Sequence, residues 1–498
     1  MAFYWGWQGQ PDNLGVAVFA HRAAALGHDI QLTENGYCGP DVLAGCAAKL
    51  TISGVAVDEK QPPTKASTPA IRLPRIALYT GTAIGYPYYA YYAHSLWSLG
   101  LSYISMSAAD IAGGRLDNID LLIMPGGFAT WGLDRAETLE GVDSEIARFI
   151  ARRGAYIGSC GGAFYMSEGR PGWHGAIDAK PRFTHEYLLT GTCLLNVQIT
   201  DAQLRRDLPE SLEMPYFHGP IYDNAPRSSP TLAVFGEHVL ENRLFIANPL
   251  EVARYDAVVK GQPAILSGRS TDYRVIGFSA HPEMGEFLRK SMMLDTYVRK
   301  YLPIRGAKTM RDTLRFYAEE NCIAFRLILN AAMMLGAFEH DDIHDALFVT
   351  AAKGIGQRLS PRSVDDEISG VDERSNGSGS GSGSGVWTDQ AWRDALASIR
   401  QRLPALEGVA MAALIEEEFR NLETAWSNLL NDDDIQRELA AAGELKWVIR
   451  DAMLALSANS TSNTASAPET LVLLALPVRL LSAHQRMVRY EMTIGECV

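Results

Sequence analysis

The sequence predicts an α/β protein: a doubly wound, mostly parallel sheet with a helical extension and a separate all-α C-terminal module. Two observations favour this fold class. From Arg75 onward, short apolar runs alternate with helical stretches, as in a parallel sheet with helices on both faces. After about Gly285 the chain turns helical, and apolar residues recur at helical spacing beyond residue 386.

The elements follow in order along the chain. Strands are predicted at 76–79, 103–106, 121–124 and 155–158, and helices at 88–99 and 144–153. A further strand, 274–278, precedes His281. Catalytic and binding residues of such sheets lie beyond the carboxyl ends of the strands, so the residues that follow each predicted strand are the candidates for a functional site.

Composition limits the function classes. The chain has 498 residues, enough for about three domains, and 45 basic against 58 acidic residues give a net charge of −13. This charge repels phosphate backbones and anionic lipids, so we expect no nucleic-acid and no membrane partner. The six cysteines show no disulfide framework, and the N-terminus does not resemble a signal peptide, so we expect a cytoplasmic protein.

Two low-complexity stretches divide the chain. Residues 61–69 carry three prolines, and Gly377–Gly385 is a strict Gly-Ser alternation typical of an artificial linker between two polypeptides. We expect an N-terminal accessory segment at 1–70, an α/β domain at 71–303, a helical extension at 304–374, the linker at 375–385 and a helical subunit or domain at 386–498.

A cysteine between glycines is the sharpest chemical feature. An apolar strand runs through Gly158 and Ser159 into Cys160, then into Gly161 and a helix, the layout of a nucleophile elbow. A thiolate is favoured at a helix N-terminus, and the N–H of Gly161 could stabilise an oxyanion. The alternative is a buried structural cysteine.

Two other strand ends carry groups that complement a thiol. After 274–278 come His281 and Glu283, which suit a base that takes the thiol proton and a carboxylate that orients it; a solvated loop is the alternative. After 121–124, the N–H groups of Gly126 or Gly127 could supply a second oxyanion donor, although a plain turn explains the same residues.

These three segments together resemble the class I glutamine amidotransferase-like superfamily over about Pro74 to Tyr301. The resemblance is closer to the amidotransferase-like domain of eukaryotic-type biotin–protein ligases, and it implies an amidotransferase or flavodoxin-like fold. It further implies that Cys160, His281 and Glu283 hydrolyse an amide through a thioester, with oxyanion-hole positions at Gly126 and Gly127.

The sequence departs from the superfamily after the elbow. Glutamine-using members have a glutamine or similar polar residue there, whereas Ala163 and Phe164 stand here, which argues against glutaminase activity. In the stretch 216–223, His218 and Asp223 either contact substrate or belong to a hairpin whose polar groups are satisfied. Cys38, before Gly-Pro, is similar to a papain-like nucleophile, but a buried place in the accessory segment explains it as well.

We therefore predict a cysteine-dependent amide hydrolase or acyl-transfer enzyme in a hetero-subunit complex. Its substrate would be a small-molecule amide or acyl compound, and its partner the helical chain fused through the Gly-Ser linker, with further subunits possible. The alternative is a non-catalytic small-molecule-sensing, regulatory or scaffold subunit on the same fold. No cofactor is expected, and no metal, because His340 and His344 form the only histidine cluster and suit a solvated helix start.

Overall fold

The computed structural model describes residues 2–57, 70–127, 131–182, 192–222, 228–239, 251–269, 274–285, 322–338 and 467–497, with a few single positions between 420 and 455. The chain divides into two compact units, Met1–Glu339 with Ser482–Val498, and His340–Leu481. The predicted linker, His340 and His344, and most of 304–374 and 386–466 lie outside the described residues. Within the described ranges, no helix is long and apolar enough to cross a membrane.

The N-terminal segment folds into a small antiparallel sheet with two helices. Its strands are β1 (Ala2–Gly6), β2 (Gln31–Thr33), β3 (Gly36–Pro40) and β4 (Val55–Val57), in the order β2-β3-β1-β4. Helix α1 (Asn13–Ala25) is buried from Leu14 through Ala23, as expected of a helix that is apolar on nearly all sides. Helix α2 (Leu43–Lys49) follows β3.

The cysteines of this segment are part of its interior. Cys38 lies within strand β3, and Cys46 lies on α2 and is fully buried. Since Cys38 pairs with Tyr4 and Gln31 on the neighbouring strands, it is not at the start of a helix as in a papain-like enzyme. Its position is that of a structural cysteine.

The central sheet has nine strands in the order β10-β9-β11-β12-β13-β8-β7-β5-β6. Its parallel half consists of β5 (Ile76–Tyr79), β6 (Tyr103–Met106), β7 (Leu121–Met124), β8 (Ala155–Ser159) and β13 (Val275–Phe278). Four of these strands are buried along their whole length, which is why the sequence presents them as continuous apolar runs. The predicted α/β fold is confirmed.

The connections reverse direction beside β5. In chain order the parallel strands run 2-1-3-4-5 across the sheet, the flavodoxin-like arrangement, with a switch point between β5 and β7. The carboxyl ends of β7, β8 and β13, next to one another, therefore open onto the same edge. The residues predicted to act as nucleophile, base and oxyanion donors follow these three strands at this edge.

The other half of the sheet is antiparallel. It consists of β9 (Thr192–Ile199), β10 (Ser211–Phe217), β11 (Thr231–His238) and β12 (Pro263–Ser267), with β12 pairing onto β13. These strands come from the long segment between the elbow and His281. Strand β10 ends at Phe217, whose carbonyl reaches the predicted site.

The remaining helices cover the sheet or extend the chain. They are α3 (Tyr88–Ser98), α4 (Ala108–Ala112), α5 (Leu133–Glu137), α6 (Val142–Ala151), α7 (Gly161–Met166), α8 (Val252–Val258), α9 (Ile323–Met334) and α10 (Ala467–Cys497). Helix α9 lies in the predicted extension, and its residues Ala324–Ala332 are buried. From Ser482 onward α10 belongs to the first unit.

Candidate active site

Cys160 occupies a sharp bend between strand β8 and helix α7. Its backbone has φ 50° and ψ −105°, a conformation that costs free energy for any residue with a side chain. A Cβ on Gly158 would lie 2.6 Å from the carbonyl carbon of Gly162, and one on Gly162 would lie 2.2 Å from the carbonyl oxygen of Met124. The bend therefore requires glycine at 158 and 162, whereas the sequence pattern had pointed to 158 and 161.

His281 and Glu283 follow the neighbouring parallel strand. Strands β8 and β13 pair with Ser159 opposite Phe278, so the residues that follow the two strands emerge side by side. His281 Nδ1 lies 2.6 Å from Glu283 Oε1. His281 is fully buried, Glu283 is 1% exposed and Cys160 is 8% exposed.

The charges around His281 favour its protonated form. Burial alone would lower the pKa of this imidazole, but the Glu283 carboxylate and side-chain hydrogen bonds with Cys160 and Glu283 outweigh burial and raise the pKa to about 10. A protonated imidazole next to a sulfur atom is the arrangement that stabilises a thiolate. The structure thus brings Cys160, His281 and Glu283 together at one edge of the sheet.

The predicted oxyanion residues also lie at this edge. A Cβ on Gly126 would lie 3.1 Å from both Cys160 Cβ and His281 Cε1, so the Gly126 backbone faces the gap between the two side chains. Gly127 has φ 122° and lies beside Ile84 and Tyr88. Gly161 is the first residue of α7, directly after Cys160.

A main-chain carbonyl reaches the same point from the antiparallel half. Cys160 Sγ donates to the carbonyl oxygen of Phe217 over 3.2 Å, and His281 Nε2 lies 3.5 Å from the same oxygen. The N–H of His281 donates to the carbonyl of Pro215, over 2.8 Å. A Cβ on Gly219 would lie only 1.8 Å from the carbonyl oxygen of Ser279, so this close approach requires glycine. These contacts hold the loop that carries His281 against strand β10 and the residues that follow it.

His218 is next to this carbonyl in a strained conformation. It has φ 55°, and its ring lies 4.5 Å from that of Phe217. Burial and the nearby charge of His281 lower its pKa, and its buried Nδ1 has no hydrogen-bond partner among the described residues. The expectation of a hairpin with satisfied polar groups thus leaves this nitrogen unexplained. Asp223 lies outside the described residues.

A buried hydrogen-bond chain continues behind Glu283. Ser159 Oγ donates to Glu283 Oε2 over 3.0 Å, and the Tyr92 hydroxyl pairs with Ser159 Oγ. Tyr92 and Ser159 are both fully buried. Each oxygen of the Glu283 carboxylate therefore has a partner, one toward His281 and one toward Ser159, which restricts the rotation of the carboxylate.

Sequence reasoning missed this chain and the Phe217 carbonyl. Tyr92 lies on helix α3 among several tyrosines, and nothing in the local pattern separates it from a residue of the core. Tyr88 of the same helix stacks on Phe217, with ring centroids 6.4 Å apart. Ser159 is visible in the elbow motif but has no role there. A backbone carbonyl from a distant strand leaves no signal in sequence.

Comparison with known proteins finds a family match within the α/β domain. Residues 89–179 match the family of CobB/CobQ-like glutamine amidotransferase domains. The search of curated proteins finds no match. Among solved structures, a glutamine amidotransferase from Thermotoga maritima is similar at 13% identity, covering 53% of this chain and 98% of its own, with a TM-score of 0.31.

A glutamine amidotransferase from Methylobacillus flagellatus is similar at 13% identity, covering 54% of this chain and 97% of its own, with a TM-score of 0.31. Scores and identities at this level say nothing about a shared activity. The match to the family covers β6, β7 and β8 together with Cys160, on the sheet order described above. Within the α/β domain, residues 89–179 are therefore similar to CobB/CobQ-like glutamine amidotransferase domains.

Proposed function

We propose that this domain is a cysteine-dependent amide hydrolase or acyl-transfer enzyme that works within a hetero-subunit complex. The observation that carries the proposal is the strained elbow of Cys160 beside an imidazole whose other nitrogen is 2.6 Å from a buried carboxylate. A strained backbone at a nucleophile, a buried base and an orienting carboxylate together suit covalent catalysis.

The chemistry follows from these positions. The Cys160 thiolate attacks the carbonyl carbon of an amide, and the tetrahedral oxyanion is held by N–H groups at Gly161 and at Gly126 or Gly127. His281 gives its proton to the leaving nitrogen as the C–N bond breaks, which leaves a thioester. Water or an acceptor amine, deprotonated by His281, then attacks the thioester and releases the thiolate, while Glu283 holds the imidazole.

The substrate is proposed to be a small-molecule amide or acyl compound other than glutamine. Phe164 is 6% exposed and packs on Trp173, where glutamine-using members of the superfamily have a polar residue. His218 is proposed to contact the substrate, because its unpartnered Nδ1 and its ring lie beside Phe217 and His281. A complex with further chains is proposed from the Gly-Ser tract alone.

One observation favours a second candidate, a non-catalytic sensing or regulatory subunit. The Phe217 carbonyl accepts a hydrogen bond from the Cys160 S–H, so in this conformation the thiol keeps its proton and directs it at the main chain. A sensing subunit needs only to bind a small molecule at this edge. In that case the thiol would remain neutral and slow to react.

The experiment measures hydrolysis and acyl transfer on a panel of primary and secondary amides, glutamine included, by wild type and Cys160→Ser. We expect turnover of at least one amide other than glutamine, a covalent thioester mass on Cys160, and loss of both in Cys160→Ser. Binding of an amide with neither turnover nor an adduct would favour the sensing subunit.

A further inference from the structure

The end of helix α10 packs against the beginning of the chain. From Ser482 to Cys497, the buried side chains lie along one helix face. They are the adjacent pair Ala483 and His484, followed at intervals of three or four residues by Met487, Tyr490 and Ile494. The opposite face is exposed, for example at Gln485, Arg489 and Met492. Such a stripe is how an amphipathic helix lies in a groove.

Charged contacts fix the register of this helix. Arg486 Nη1 donates to Asp12 Oδ2 over 3.1 Å, and Arg486 Nη2 donates to the carbonyl of Ser98 over 2.8 Å. At the next turn Arg22 Nη1 lies 3.4 Å from Glu491 Oε2. The Arg486 contacts join one side chain to both α1 and the end of α3, so the helix can sit in only one position along the groove.

The receiving surface is shaped for this helix. Asp12 accepts from Arg486 with one oxygen and caps α1 with the other, which accepts from the N–H groups of Leu14 and Gly15 over 3.0 Å. A Cβ on Gly15 would lie 2.7 Å from the Tyr490 hydroxyl. The rings of Trp97 and His484 lie 5.1 Å apart. Close packing and charged contacts therefore both fit helix α10 to this surface.

The two sides of this contact lie far apart in the sequence. Arg486 and Asp12 are 474 residues apart, and the nine residues Gly377–Gly385 lie between them. A Gly-Ser chain of this length spans roughly 15–18 Å and supplies an effective concentration of order millimolar.

We propose that residues 482–497 form a docking helix, through which the polypeptide after the Gly-Ser tract binds the α1–α3 surface of the polypeptide before it. The binding does not need the covalent connection. The partner of the α1–α3 surface is therefore an amphipathic helix with an arginine and, five residues later, a glutamate at its polar margin.

The test uses the full chain with a specific protease site in place of Gly377–Gly385, folded and purified before it is cut. Size-exclusion chromatography at about 1 µM then asks whether the two products stay together, and a titration gives the Kd. The variant is Arg486→Glu, and the matched control is Arg489→Glu, the same charge change on the exposed face. Thermal unfolding of the uncut variants checks that each is folded.

We expect the cut wild type and Arg489→Glu to co-elute, and Arg486→Glu to bind at least tenfold more weakly, since a hydrogen bond between charged groups contributes about that factor. Should Arg486→Glu unfold, Glu491→Ala removes the outer pair, and its Kd should rise several-fold. Separation of the cut wild-type products would overturn the proposal. So would a Kd that Arg486→Glu, or Glu491→Ala in its place, leaves unchanged.

Discussion

Replacing Ser159 by alanine tests whether the buried chain behind Glu283 positions the histidine. The substitution removes the hydrogen bond to Glu283 Oε2 and leaves the Tyr92 hydroxyl without that partner. A hydrogen bond to a charged group contributes about 1.5–3 kcal/mol to stability, so we expect a loss of about 2 kcal/mol in the free energy of unfolding. If the freed carboxylate lets the imidazole rotate, alkylation of Cys160 near neutral pH should slow about tenfold, which corresponds to about 1.4 kcal/mol.

The assay follows alkylation of Cys160 from pH 5 to 10, with urea unfolding measured in parallel. The matched control is Ser167→Ala, because Ser167 is a fully buried serine that pairs with the Tyr222 hydroxyl over 2.9 Å and with the carbonyl of Ala163. The control should lose stability but keep the wild-type pH profile. An unchanged profile in Ser159→Ala would refute the positioning role, whatever the loss of stability.

Three further predictions follow from the contacts. Gly126→Ala places a methyl group 3.1 Å from Cys160 Cβ and from His281 Cε1. The rates of Cys160 alkylation and of turnover should fall about 10- to 100-fold, while the free energy of unfolding in urea changes by less than about 1.5 kcal/mol. Unaltered rates would place the reacting groups elsewhere. The folded pKa of His281 is raised to about 10 from 6.5, so its contribution to stability is fully present below pH 6.5 and is lost as the pH rises toward 10. The stability difference between wild type and His281→Gln, measured by urea unfolding, should therefore shrink across that window, and a constant difference would contradict the assignment. Burial alone would raise the pKa of Asp120, but its ion pairs with Arg72 and Arg75 lower this pKa to about 2 from an ordinary 3.8. Asp120→Asn should therefore lower the free energy of unfolding by about 2 kcal/mol at pH 7, and the difference from wild type should vanish as the pH falls from 3.8 toward 2. Equal stability of the two proteins at pH 7 would contradict a stabilising role of these ion pairs.

Much of the parallel sheet could be predicted from the sequence because its strands are buried on both faces. The structure places strands at Ile76–Tyr79 and Leu121–Met124, as predicted, and neither run contains a charged residue. Helix α6 begins at Val142, two residues before the predicted start. The predicted start is late because Asp143, in the first turn, is a residue type common in loops. The elbow was visible because a tight bend demands glycine, and Gly158 meets that demand.

The antiparallel half could not be predicted, for a physical reason. Strand β10 contains Pro215, which usually breaks a strand, yet the strand lies at the edge of the sheet, where proline is tolerated. The approach of Phe217 to Cys160 depends on this edge strand and on Gly219, far from the elbow in sequence. Contacts of that kind arise from packing, which local patterns do not encode.

Activation of Cys160 by His281 is tested by the order in which the six cysteines are alkylated at pH 7, read by mass spectrometry. Exposure alone favours Cys497, which is the one cysteine of the six that is not buried. We expect Cys160, only 8% exposed, to react first and His281→Gln to remove this advantage. Alkylation of Cys497 ahead of Cys160, with no effect of His281→Gln, would contradict the activation of Cys160 by His281.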